Sequence, residues 1–190
     1  MDHFCTGKNR IRLIYYEQEK KFEMITNHEK KLMFRIRFIL IGFIIALILS
    51  GITAFPIETE LSVAVKNLTL FPEFVQNWLS TVYGAVKTMN TNYPFISYGT
   101  DWLAFAHIVI AVAFIGPLKD PVRNIWVIQF GMIACCMVLP LALIAGPIRG
   151  IPLYWQMIDC SFGVFGFFPL FLCYRYIRKL ESYQTHKNIA

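Results

Sequence analysis

Four long apolar runs, at residues 38–54, 102–118, 125–148 and 158–177, constrain this chain more than any other feature. Each is close to the ~20 residues that a helix rising about 1.5 Å per residue needs to cross ~30 Å of hydrocarbon. A bilayer offers no water to unpaired backbone N–H and C=O groups, and each one left open costs several kcal/mol. A helix pairs them within a single segment. The predicted fold is therefore all-α, a polytopic membrane protein whose four transmembrane helices form an antiparallel bundle. The 102–118 run lies at the lower limit of spanning length and contains His107.

Composition agrees, with 56% hydrophobic and 16% charged residues against roughly 45–50% and 25% in soluble domains. The predicted segments are a basic N-terminal stretch at 1–33, spans at 34–55, 101–118, 125–148 and 158–177, and a tail at 178–190. Between the spans lie an outer loop at 56–100, an inner turn at 119–124 and a second outer loop at 149–157.

Short loops rich in Lys and Arg stay in the cytoplasm. The N-terminal 37 residues, the 118–124 turn and the stretch from Arg175 to the end hold nine, two and four basic residues, while the two other loops hold only Lys66, Lys87 and Arg149. Both termini are thereby expected in the cytoplasm. The net charge of +6 follows from this asymmetry and from attraction to anionic headgroups, not from nucleic-acid binding. Basic residues before the first apolar run suit an uncleaved signal anchor, since no small-residue cleavage site follows. Met33-Phe34-Arg35-Ile36-Arg37 has the look of a bacterial start, which leaves open whether residues 1–32 belong to the natural protein. A bacterial inner membrane is the expected location.

The first outer loop carries two helical patterns. Ile57, Leu61, Ala64, Val65 and Leu68 recur at helical spacing after Pro56, and Phe74, Val75, Trp78, Leu79, Val82, Tyr83 and Val86 do so after Pro72. Two amphipathic helices are expected there, lying on the membrane or capping the bundle, and the 57–88 stretch is the place for another membrane protein to bind. A further surface helix is expected over residues 11–24. Asp120-Pro121 is expected to open the third spanning helix as N-cap and first-turn proline, and Pro140 to kink it.

Ionisable residues at membrane depth are costly and so mark candidate sites. Asp101, His107, Arg149 and Asp159 all fall on the outer side and are the candidate polar site, with His107 able to relay a proton near neutral pH. The competing account gives each a structural role: Asp101 as a helix N-cap, Arg149 and Asp159 as an ion pair, His107 bonded to a carbonyl across helices.

Chemistry beyond that is thin. A bis-histidine haem needs two histidines at membrane depth and only His107 qualifies, because His3, His28 and His186 fall in the termini. No metal or other cofactor is expected. The five cysteines form no C-x-x-C pair; Cys5 is terminal, and Cys135, Cys136, Cys160 and Cys173 read as small apolar residues. With no phosphate loop, nucleophile elbow or zinc motif, nothing argues for an enzyme. The remaining readings are an accessory or structural membrane component that holds a partner, and a small transporter, channel or ligand-binding protein with an outward-facing polar site around His107.

Overall fold

The computed structural model describes the backbone of residues 3–189 and the side chains of residues 12, 16–20 and 22–185. Cys5, His3 and His186 lie outside the described side chains. Among the described residues every regular element is helical. The elements are α1 (His3–Ala54), α2 (Ile57–Lys66), a 3₁₀ turn (Leu68–Leu70), α3 (Glu73–Asn92), α4 (Pro94–Ala113), α5 (Ile115–Lys119), α6 (Ile125–Pro140), a π-helical segment (Leu141–Ala145), α7 (Gly146–Ile148) and α8 (Leu153–Ile189). Four segments, Tyr16–Ala54, Pro94–Lys119, Ile125–Ile148 and Leu153–Thr185, are long and apolar enough to cross a membrane.

The chain divides into two compact units, Met1–Ile41 with Gly116–Ala190, and Gly42–Ile115. In the first, α1 presents Leu32, Ile36 and Leu40 at four-residue spacing, all buried, and α8 presents buried Leu170, Cys173, Ile177 and Leu180. One face of each helix is thus apolar and sheltered, as helical periodicity requires. The Arg35 guanidinium lies 5.8 Å above the Tyr176 ring and the His28 ring 6.5 Å from that of Tyr183. As residue numbers rise on α1 they fall on α8, so the two run antiparallel. The α6–α7 segment also runs antiparallel to α8. Gly146 packs on Gln156 near the connecting loop, and Gly163 packs further along on the Cys135 carbonyl, close enough that a Cβ at Gly163 would stand 2.6 Å from that oxygen.

In the second unit Gly51 of α1 abuts α4, where a Cβ would come within 2.8 Å of the Ala104 carbonyl. The rings of Phe43 and Phe114 stand 4.8 Å apart. The two amphipathic helices anticipated in the 56–100 loop are present as α2 and α3. Asn90 of α3 ties them together, donating from Nδ2 to Glu58 Oε2 of α2 at 2.6 Å and accepting from the Ser97 hydroxyl of α4.

Several boundaries differ from expectation, each for a local reason. The N-terminal stretch does not form a separate 11–24 helix, because α1 has no proline or glycine between Arg10 and Gly42 to stop it. The helix expected at 101 begins at Pro94, a proline in the first turn where a missing N–H costs nothing, and it breaks at Phe114. The helix expected at 158 begins at Leu153, directly after Pro152. Asp120 caps a turn rather than α6: its Oδ1 accepts from the Arg123 N–H at 3.1 Å, and α6 starts after Asn124. The Asn124 side chain instead donates back to the Asp120 carbonyl at 2.9 Å. Pro140 lies at the last position of α6, and directly after it the third run changes from α to π geometry over Leu141–Ala145.

Candidate functional site

A cavity of about 380 Å³ opens where the π segment, α7 and α8 meet, within the first unit. Its wall is apolar, with Val138, Leu141, Ala142 and Phe162, except for Arg149 and Asp159. The backbone places both charges. Gly146-Pro147-Ile148-Arg149-Gly150-Ile151 ends a helix in the Schellman manner: the Ile151 N–H donates to the Gly146 carbonyl at 3.0 Å and the Gly150 N–H to the Pro147 carbonyl at 3.1 Å. Gly150 occupies the left-handed region at φ +70°, which a glycine enters without steric cost. Arg149, one residue earlier, is thus fixed at the end of α7. Asp159 stands six residues into α8, about 9 Å along its axis.

Gln156 completes the frame. It is buried, 4% exposed, and donates from Nε2 to the Ile151 carbonyl at 2.7 Å. The loop that carries Arg149 is thereby bolted to the helix that carries Asp159. Sequence reasoning passed over Gln156, although a glutamine four residues after Pro152 in an apolar run is a signal that a buried carbonyl needs a donor.

The four residues singled out from sequence divide as follows. Arg149 and Asp159 line the same cavity, but the ion pair expected between them is not formed; among the described residues neither has an ion-pair or side-chain hydrogen-bond partner. Asp101 does not cap its helix, because α4 starts seven residues earlier. It lines a second cavity of about 260 Å³, inside the 42–115 unit, with Glu58, Asn90, Ser97 and Thr100. His107 bonds within its own helix rather than across helices, with Nδ1 2.9 Å from the Leu103 carbonyl. A carbonyl only accepts, so that nitrogen carries the proton. Glu58, Asn90 and Ser97 went unremarked in the sequence, since they come from three different helices.

Among the described residues Cys135, Cys136, Cys160 and Cys173 are free thiols. Cys160 and Cys173 are buried apolar residues, whereas Cys136 is exposed and Cys135 half-buried. No group of three or more His, Cys, Asp or Glu among the described residues is placed to hold a metal ion.

An exposed apolar stripe runs along the third long segment through Trp126, Phe130, Ile133, Met137, Leu141 and Ile144. Its spacing of three and four residues keeps it on one helix face. Leu141, 67% exposed, belongs to the stripe and to the cavity wall alike, and Phe162 on α8 is 68% exposed at the opposite wall. The cavity therefore opens onto the apolar surface. Comparison of the chain with protein-family models, with curated proteins and with solved structures gives no match.

Proposed function

We propose that this chain is an integral membrane protein, with its basic termini on the cytoplasmic side of a bacterial inner membrane, that binds a small amphiphile in the cleft between the π segment, α7 and α8. One observation carries the reading: two opposite charges, Arg149 and Asp159, line one apolar cavity without pairing to each other. Among the described residues neither charge has a side-chain partner, and a ligand that carries groups complementary to both gains two charge-assisted contacts at once. The π geometry beside the cavity supports the reading, because such bulges gather at functional sites. The site is centred on Arg149 and Asp159 rather than on His107, whose ring already has a partner.

The test is thermal unfolding of the detergent-solubilised chain with added membrane-lipid extract. The midpoint of the wild type should rise, and that of the Arg149→Gln, Asp159→Asn double variant should not. Equal shifts in both proteins would remove the basis for the site.

A second reading, an accessory component that holds another membrane protein, is favoured by the exposed apolar side chains of α2 and of the 3₁₀ turn that follows it. Leu70 is 80% and Val63 54% exposed. It predicts a partner chain that co-purifies in mild detergent and is lost on Leu70→Glu; a clean single species would count against it.

A further inference from the structure

We infer that the amphiphile accepted by the α6–α8 cleft is a lipid whose headgroup carries both a phosphate and a primary ammonium, as phosphoethanolamine does. This rests on the reading of the cleft as an amphiphile site. The cavity holds one cation and one anion, Arg149 and Asp159, in an otherwise apolar wall. A purely anionic ligand would satisfy Arg149 and place a second negative charge beside Asp159; a purely cationic one would do the reverse. A zwitterion satisfies both at once, and partners that match both signs are selected over those that match one.

The side-chain chemistry assigns the two ends. A guanidinium offers a planar fork of N–H donors that fits two oxygens of a phosphate, and Arg149 is exposed at the end of α7, free to turn that fork toward the cavity mouth. A carboxylate only accepts hydrogen bonds, so Asp159 needs donors. A primary ammonium brings three; a quaternary trimethylammonium brings none. The cleft thus has the means to separate an ethanolamine from a choline headgroup.

Access decides between a lipid and a free headgroup. A volume of about 380 Å³ is small among ligand pockets, which run from ~300 to ~1,000 Å³, and suits a headgroup with its chains left outside. Leu141 and Phe162 form the rim and are continuous with the exposed apolar surface, so the chains can lie along that surface in the bilayer.

The experiment uses the full chain in detergent, titrated with short-chain phosphatidylethanolamine, phosphatidylcholine and phosphatidylglycerol, and with water-soluble phosphoethanolamine; affinities are read by calorimetry and lipid retention by native mass spectrometry. Phosphatidylethanolamine should bind about tenfold tighter than the other two lipids, as expected for gain of one charged hydrogen-bonded contact, and soluble phosphoethanolamine far more weakly. Asp159→Asn should erase the preference for ethanolamine over choline. Arg149→Gln should weaken all three lipids, and Arg149→Lys should restore part of the loss, which a mere folding defect would not do. Equal binding of ethanolamine and choline lipids by the wild type, or an unchanged preference in Asp159→Asn, overturns the inference. Binding of soluble phosphoethanolamine as tight as that of the lipid overturns the lipid source. If a different lipid binds in an Arg149-dependent way without ethanolamine preference, the amphiphile site stands and this headgroup assignment falls; if no lipid separates the wild type from the double variant, both fall.

Discussion

Gln156 and Gly146 are fitted to each other: a Cβ on Gly146 would stand 2.8 Å from Gln156 Cγ, and from this position the amide reaches the Ile151 carbonyl at 2.7 Å. The glycine makes room for the glutamine, and the glutamine holds the loop that carries Arg149. Gln156→Ala leaves the Ile151 carbonyl without that donor, which should cost about 1–3 kcal/mol and lower the unfolding midpoint. Gly146→Ala should also destabilise the wild type, but much less in the Gln156→Ala background, where the colliding side chain is gone. A double-mutant cycle measures this coupling. Strictly additive effects would show that the two residues do not share one fit.

The close approach of α6 and α8 makes a sharper prediction, because the atom opposite Gly163 is backbone. A Cβ there would lie 2.6 Å from the Cys135 carbonyl oxygen and 3.3 Å from Val138 Cβ. Neither can swing aside as a side-chain tip would. Gly163→Ala should therefore cost about 1–3 kcal/mol, as overpacking does. Gly42→Ala is the control: nothing lies within 4 Å of its Cβ position, and alanine in a helix interior gains about 0.5–1 kcal/mol over glycine. Unfolding midpoints should move in opposite directions.

Asn90 joins three helices, and its loss should be felt in the one least secured otherwise. Its amide donates to Glu58 and accepts from Ser97, and α2 has no fully buried residue. Asn90→Ala should speed hydrogen exchange of the amides in Ile57–Lys66 while leaving α6 and α8 unchanged. Glu58→Gln keeps an acceptor oxygen for Asn90 and should do less. The same exchange rates in both variants would mean that α2 is held by its apolar contacts alone.

The four long apolar segments and the two amphipathic helices were legible because periodicity and run length are local properties. The helix starts were less so. Asp101 looked like an N-cap since it precedes an apolar run, but the polar residues before it, Ser97 to Thr100, are compatible with a helix once Pro94 opens one. The pairing of Arg149 with Asp159 along one cavity was half visible: both were singled out as outer-side charges, yet whether they would neutralise each other depends on Gln156 and the Gly150 turn. Those set the loop's position through contacts between residues that look unremarkable alone. Glu58, Asn90 and Ser97 were invisible for the same reason.

Pro140 tests whether the π segment is a consequence of a missing donor. Proline has no N–H to give the Cys136 carbonyl and its ring crowds the preceding turn, and the helix passes into π geometry at the next residue, Leu141. Pro140→Ala restores the donor. It should raise stability by about 1–3 kcal/mol and slow hydrogen exchange at the amides of Leu141–Ala145. Since Leu141, Ala142 and Ala145 line the cavity, amphiphile binding should weaken even as the midpoint rises. Unchanged exchange in the segment would show that the π geometry is imposed by packing against α8 instead.

The orientation rests on charge alone, and labelling can reverse it. Fifteen of the eighteen basic residues fall in the termini and the 118–124 turn, and such clusters are retained on the cytoplasmic side. Single cysteines placed at Asn77 on α3 and at Ser182 on α8 should behave oppositely toward a membrane-impermeant thiol reagent applied to intact cells, in a background with the native cysteines replaced. The probe at 77 should react at once, and the probe at 182 only after the membrane is opened. Lys119, next to the 120–124 turn and changed to cysteine, should follow 182. Reaction at 182 and 119 with protection at 77 would place the charge-poor side inside, and with it the mouth of the Arg149–Asp159 cleft, so that an ethanolamine lipid would have to be drawn from the inner leaflet instead of the outer one.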